Sequence, residues 1–370
     1  MKKISKIVSR ILLLANLLLA ALMLFSAWSP WLIDPRVHPL WALAGFALPF
    51  LFFLNLAFVL LWIFFAWKYA LLSLVAFVCC QGQLRAYCPL NFTEEEMPEE
   101  GTIKVLSYNV MGFGKLLKDD TQDLNPILAY IKEQDADIVC LQEFRFSRNK
   151  DPYQLSEKDI LSVLDKYPYH AYGGSKKGEE SNLAVFSRFP ILSTRSIHYG
   201  ESANASVLHE LLIEGDTVTL ANNHLESNKL TKEDKVIYEE LIKDPNKESV
   251  STGGRLLLRK LGEAGSIRAF QADSLARLLD REAHPTTIIC GDFNDIPVSY
   301  THRIVQGNRK DAYIDAGSGP GISYNQNKFY FRIDNILYSG RLKVFKCKVD
   351  RGIKDSDHYP IYAYMSMEKH

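Results

Sequence analysis

The sequence predicts a globular α/β domain carried behind a helical membrane anchor, and three observations lead there. From Thr102 onward, short β-rich runs alternate with helical stretches. Before residue 86 the chain is long, apolar and nearly free of charge. The formal net charge of zero, 43 basic against 43 acidic residues in 370, is also divided unevenly. Seven basic residues and one acidic residue precede residue 91, a net +6, which leaves 36 basic and 42 acidic groups, a net −6, for the remainder. All five tryptophans, Trp28, Trp31, Trp41, Trp62 and Trp67, lie on the basic side of that division. This composition excludes a disordered or collagen-like chain. The acidic remainder also lacks the excess of Lys and Arg with which proteins hold nucleic acid by a broad field.

The anchor comes first. Residues 11–33 carry no charge and suffice for a hydrocarbon core of roughly 30 Å, which takes about 20 helical residues. A cleaved signal peptide is the alternative, because KKISKIVSR resembles a basic leader, but no small-x-small site ends the run and a second apolar stretch follows. That second stretch, 40–84, contains one charge, Lys68. As a single helix it would measure about 68 Å, roughly twice the membrane core, so it reads as two spans. The anchor, residues 1–87, is therefore expected to cross three times, near 11–33, 40–66 and 69–84, turning at Trp67-Lys68. Lys2, Lys3, Lys6 and Arg10 keep the N-terminus cytoplasmic by the positive-inside rule, and three spans then put everything after residue 85 outside the cytoplasm. Two spans would leave it inside.

Residues 88–101 hold five Glu, two Pro and a terminal Gly without apolar periodicity, the composition of a linker. The domain at 102–370 follows. Its strand candidates are IKVLSYNV, ADIVCLQE, NLAVFSR, VTLANNHL, TTIICGDFN, DNILYS and HYPIYAYM, several of them apolar on both faces as in covered sheets. Helices are expected at 125–133, 159–166 and 255–281, the last with leucines at helical spacing. Within it, Arg268 and Gln271 could look into the cleft, but the favoured reading is a scaffold helix with a solvated charged face. Six cysteines form no CxxC pair; Cys140 and Cys290 sit inside apolar runs and read as small buried hydrophobes. The loop GGSKKGEES, 173–181, lacks a P-loop's spacing.

Polar residues end or flank these apolar strands: Asn109 in LSYNV, Glu143 in CLQE, His224 in NNHLES, Asp292 and Asn294 in CGDFND, Asp334 in RIDNIL, and Asp357-His358 in SDHYP. A carboxylate at the end of a buried strand is costly to dehydrate unless it is paired or bound to a cation. So many such ends imply convergence on one site. Oxygen donors without a Cys or His cluster select a hard cation, Mg²⁺ or Mn²⁺, over zinc.

In that order, LSYNV, LQE, NHL, GDFN, RIDNIL and SDHYP resemble the motifs of the endonuclease/exonuclease/phosphatase superfamily, the DNase I-like metal-dependent phosphoesterases. The resemblance covers about residues 102–366. It implies a four-layer α-β-β-α sandwich. It further implies that Glu143 is the main metal ligand with Asn109 and Asp357 nearby, and that His358 is oriented by Asp334. Asp292 would orient the attacking water, while Asn294 and His224 would contact the phosphate. Arg145 is a candidate phosphate clamp, because a guanidinium matches phosphate geometry. Asn335 departs from the pattern, as many relatives carry an aromatic residue after the Asp. No GxSxG nucleophile context occurs, so direct attack by water is the expected mechanism. The expected substrate is a phosphodiester or phosphomonoester, with a lipid head group or small molecule favoured over DNA or RNA. No protein partner is expected. An extracytoplasmic nuclease is the alternative reading, and a catalytically silent binding protein a further one.

Overall fold

A computed structural model describes residues 6–92, 96–114, 124–147, 155–174, 182–200, 202, 204–228, 231, 233–234, 236–237, 248–326 and 330–368. The loop expected at 173–181 and the charged segment near 232–243 lie largely outside the described residues.

The anchor folds as three apolar segments laid against one another. Lys6–Leu32 and Pro39–Phe65, 27 residues each, are both long and apolar enough to cross a membrane. The third segment differs from the straight span expected at 69–84. Trp67–Cys79 and Gln81–Tyr87 meet at a 66° bend, with Cys80 buried at the elbow. Gln81-Gly82-Gln83 interrupt the apolar run that a straight span requires, and the bent helix instead lays Ala86 against the globular domain. Apolar helices gain little from burying Leu in lipid, so small and polar residues hold such bundles together. Here Trp62 Nε1 donates to Asn16 Oδ1 (2.9 Å), Asn16 Nδ2 to Ser73 Oγ (2.7 Å), and Ser73 Oγ to Asn55 Oδ1 (2.9 Å). One buried chain of bonds thereby ties all three segments.

Among the described residues twelve strands follow: β1 (Thr102–Asn109), β2 (Ile138–Gln142), β3 (Tyr169–Gly173), β4 (Leu183–Ser187), β5 (Ile191–His198), β6 (Ala205–Ile213), β7 (Asp216–His224), β8 (Thr287–Asp292), β9 (Lys310–Asp311), β10 (Asp334–Ser339), β11 (Leu342–Val349) and β12 (Ile361–Met367). They form two six-stranded mixed sheets, ordered β11-β12-β1-β2-β4-β3 and β5-β6-β7-β8-β10-β9. Val105, Cys140 and Val185 of the first sheet interleave with Leu220, Ile288, Cys290 and Ile336 of the second, so the two cysteines lie in the mid-plane as small hydrophobes.

Helices cover both outer faces. Pro126–Gln134, capped by Asn125, and Glu157–Val163, opened by a Ser156–Asp159 capping box, pack on the first sheet. Glu248–Glu282 packs on the second through Ala272, Leu275 and Leu279. The result is the four-layer α-β-β-α sandwich. The long helix starts before the expected residue 255 because Gly253-Gly254, which reads as a breaker, lies within it. A Cβ at Gly253 would sit 2.6 Å from Ile237 Cγ2, so close packing selects glycine there.

Anchor and sandwich share an interface. Ile296 and Val298 join Met23, Leu48, Cys80 and Ala86 in one apolar cluster. Arg36 pairs with Asp273 at 2.6 Å, and Arg303 donates to the Pro30 carbonyl (2.9 Å) while lying 4.8 Å over the Trp31 ring. The segment read as a linker starts docked rather than solvated. Gly319 N donates to Pro89 O (2.8 Å) and Asn91 Nδ2 to Gly317 O (2.7 Å), which fixes residues 89–91 along the domain.

Candidate active site

The marked strand ends meet at one edge of the sandwich, and the sheet registers explain how. Asn109 lies beside Gln142 across the parallel pair β1/β2, which puts the following Glu143 at the same edge. On the other sheet, Asp292 has His224 as its parallel neighbour and Asp334 as its antiparallel one. β12 runs antiparallel to β1, so His358, just before β12, returns to the Asn109 end. Glu143 and Asn294 adopt φ of 51° and 52°, a left-handed backbone that non-glycine residues adopt at a cost. Such kinks turn the chain sharply at the strand ends beside the cleft. In GDFN, Gly291 is required by close approach: its φ is 128°, and a Cβ would fall 2.0 Å from Asn223 O.

The side chains form one hydrogen-bonded set. Asn109 Nδ2 donates to Glu143 Oε1 and to Asp292 Oδ2, both at 3.2 Å, joining the two sheets. His358 Nδ1 lies 2.8 Å from Asp334 Oδ2, and its Nε2 is 3.6 Å from Asp292 Oδ2. His224 Nε2 stands 3.8 Å from both Glu143 and Asp292 and makes no hydrogen bond. Asn294 holds Asp292 twice, through its backbone N–H at 2.8 Å and Nδ2 at 3.2 Å. The Asn294 amide also donates to Leu225 O at 2.9 Å, so it supports Asp292 more than it faces open cleft. Asp357 is half-buried beside His358, and Arg145 is exposed on the loop after Glu143.

Burial and charge push the groups in opposite directions. For His358, burial disfavours the charged ring, but the Asp334 and Asp292 carboxylates override it and raise its pKa to about 10. For His224, burial prevails and lowers the pKa below the ordinary histidine value, against the opposing pull of Glu143. Burial also raises the Asp292 carboxyl above its usual range, against His358. Burial and charge thereby push the two histidines of one cleft in opposite directions, a pattern that distinguishes acid from base roles.

The matching family model is described as the Endonuclease/Exonuclease/phosphatase family and spans residues 106–358, the stretch that contains every residue of this cleft. The chain belongs to the endonuclease/exonuclease/phosphatase family. It is therefore a phosphoric ester hydrolase of a metal-dependent family. A second model, a domain of unknown function (DUF8431), matches residues 9–87. Among solved structures, the endonuclease/exonuclease/phosphatase from Beutenbergia cavernae is 14% identical with a TM-score of 0.50, covering 73% of this chain and 72% of that one. The Bacteroides vulgatus endonuclease/exonuclease/phosphatase is 16% identical, TM-score 0.48, covering 72% and 99%. Truncated Caenorhabditis elegans TDP2 is 23% identical, TM-score 0.46, covering 72% and 98%. No curated protein matches the sequence.

The cleft suits the divalent ion on which this family of phosphoesterases depends. Asp292, Asp334 and His358 bring potential ligand atoms within 4.8 Å of one another, and Asp334 Oδ1 is buried without a hydrogen-bond partner. A buried oxygen lacking a donor invites a cation. Glu143 has the more open carboxylate, with 34% of its side chain exposed.

Several supporting residues escaped the sequence reading. Gln142 Nε2 donates to Asn222 Oδ1 at 2.7 Å, and Asn222 Nδ2 to Ala184 O at 3.0 Å, which stitches the sheets together under the cleft; both amides stand inside the LQE and NNHL motifs. Ser323 Oγ accepts from the backbone N–H of Ile333 and Asp334, each at 3.0 Å, and the Tyr324 ring packs 5.3 Å from His358. Irregular loop sequence offered no signal for these two. Arg268 and Gln271 correct the expectation of a solvated face. Both are buried, with Arg268 Nη1 donating to Glu226 O (2.9 Å) and Gln271 Oε1 accepting from Glu226 N (2.7 Å). They secure the loop after His224, because the backbone polar groups of a buried loop need partners.

Proposed function

We propose that the protein is a membrane-anchored phosphoesterase that hydrolyses a lipid head group or other small phosphoester by direct attack of water, with Mg²⁺ or Mn²⁺ bound. The observation that carries this reading is the joining of the cleft to the apolar bundle through one interface, Ile296 and Val298 against Met23, Leu48 and Ala86. A phosphoester at the bilayer surface is thereby kept close to the reacting groups. The net charge of −6 after residue 90 argues in the same direction, since broad DNA binding needs the opposite field.

Glu143 would be the principal ligand of the ion, with Asn109 and Asp357 completing its surroundings. His358 is a poorer candidate ligand, because its Nδ1 is bonded to Asp334 and two carboxylates hold the ring protonated. When bound, the ion supplies polarisation of a phosphoryl oxygen and offsets negative charge. The chain's own residues do the rest. His358, oriented by Asp334, donates to the phosphoryl oxygen as its charge grows. Asp292, whose pKa burial raises, in its ionised form accepts a hydrogen bond from the attacking water and takes its proton. Asn294 fixes Asp292, and His224, held neutral, contacts the phosphate from the far flank. Arg145 clamps an outer oxygen or neighbouring group of the substrate.

The test is a substrate panel for the full-length protein in Mg²⁺ or Mn²⁺: phospholipid vesicles, bis-p-nitrophenyl phosphate and plasmid DNA. Turnover of lipid or of the small diester above DNA is expected. DNA cleavage with no lipid turnover transfers the reading to a nuclease, and no turnover of any substrate in either metal removes it.

The domain is further proposed to lie outside the cytoplasm behind three crossings. Leu12 and Leu13 pack with Val59, Trp62 and Ala70 at one end of the bundle, which puts Lys6, Arg10 and Lys68 on a common side, as positive-inside placement requires. Alkaline phosphatase fused to the C-terminus of the full chain is expected to be active. Silence of that fusion, with fluorescence from a green-fluorescent-protein fusion at the same position, would reverse the orientation.

A further inference from the structure

A large apolar cavity of about 1200 Å³ opens where the anchor meets the globular domain. Phe46, Phe53 and Phe77 wall it on the anchor side, and Leu258, Leu261 and Phe331 on the domain side. Of its described lining residues only Arg85 and Arg332 carry charge, and Arg332 is neutralised by Asp311 at 2.9 Å. At the mouth, large apolar side chains stand bare: Phe53 is 65% exposed, Leu258 49% and Tyr330 53%. Contiguous exposed apolar surface of this kind marks a binding or membrane-contact site.

We propose that this cavity receives an acyl chain of the membrane lipid whose phosphoester is hydrolysed at the Asp292–His358 cleft, a site that rests on the membrane-anchored reading above. Three observations select an acyl chain. A peptide or a second protein surface would bring backbone N–H and C=O groups into walls that offer few polar partners, at a desolvation cost, whereas a hydrocarbon chain needs only apolar area. Half of the wall belongs to the spans themselves, so the mouth opens at the level of the leaflet. The cavity and the cleft are also linked by the backbone bonds between Phe331 and residues 323–324. Phe331 O accepts from the backbone N–H of Ser323 and Tyr324, each at 3.1 Å, Ser323 Oγ holds Asp334 N, and Tyr324 abuts His358. Phe331 and Asp334 are three residues apart, about 10 Å of extended chain, a distance that the glycerol linkage and the first methylenes of a lipid chain span.

The test uses the full-length protein in phosphatidylethanolamine/phosphatidylglycerol vesicles containing phosphatidylcholine with a diazirine at the acyl terminus. After irradiation, labelled peptides are mapped by mass spectrometry. Label on the domain side, at Leu258, Leu261 or Phe331, is expected in addition to label on the outward span faces such as Leu14 and Phe64. Leu261→Trp, which fills the cavity, lowers domain-side labelling at least about tenfold, the equivalent of roughly 1.4 kcal/mol of chain binding, and leaves span labelling unchanged. Leu258→Trp at the exposed mouth repeats the test without disturbing the packed side chain. Label confined to the spans, or domain-side label indifferent to both variants, overturns the proposal. Because labelling needs no turnover, failure of the hydrolytic reading and failure of the cavity are separate results.

Discussion

His358→Ala is expected to slow phosphoester hydrolysis by about 10²–10⁴-fold, the range for losing one positioned proton-transfer group. The ring is buried, bonded to Asp334 at 2.8 Å and turned toward Asp292 at 3.6 Å, so its removal takes away the donor to the phosphoryl oxygen and leaves two buried carboxylates without their cation. Asp292→Ala is expected to fall in the same range through loss of the water's acceptor. The pair acts as a unit, so the double variant should be little worse than either single one. Steady-state turnover of the best substrate in the panel, with circular dichroism to confirm folding, checks this. Additive losses in the double variant would separate the two roles, and an unchanged rate in either single variant would place the chemistry elsewhere.

Removing the divalent ion should have a comparably large effect. Chelation with EDTA is expected to reduce turnover to background, since the ion's stabilisation of phosphoryl charge is worth several kcal/mol, and excess Mg²⁺ or Mn²⁺ should restore it. Glu143→Gln keeps the shape but removes the charge of a carboxylate that is one-third exposed in the cleft. The metal concentration for half-maximal rate is expected to rise by more than about 10-fold, the lower end of what the loss of an outer-shell partner costs. A metal titration of activity reads the shift. If Glu143→Gln titrates like the parent while Asp334→Asn does not, the ion belongs among Asp292, Asp334 and His358 and not at Glu143.

The strands and their polar ends were legible because both signals are local. A buried run such as TIICGDFN shows its apolar faces and its terminal Asp within eight letters, and the sheet registers then had only to bring Asp292 beside Asp334 and His224. What escaped depends on partners far along the chain. Arg268 looks like a solvated helix charge until Glu226, on a loop some 40 residues earlier, comes within 2.9 Å. Ser323 stands in irregular sequence and matters because it caps the Ile333–Asp334 backbone. The bend at Cys80 was half-visible in Gln81-Gly82-Gln83, which weaken a third span, but the docking of Ala86 on the domain that accompanies it was not. Composition likewise described residues 88–101 as solvated spacer, although residues 89–91 lie against the 317–319 turn.

That docking has a mechanical corollary. A flexible tether lets a domain sweep a volume whose radius grows with the square root of linker length. Here Arg303 on Pro30 and Trp31, Arg36 on Asp273 and Pro89 on Gly319 leave no slack. With the spans in a bilayer, the cleft rides at one fixed altitude and one fixed tilt, and its encounters with lipids become two-dimensional. Lateral diffusion in the leaflet would deliver lipid phosphoesters along that plane, while a small phosphoester free in solution would still reach the cleft from the aqueous side.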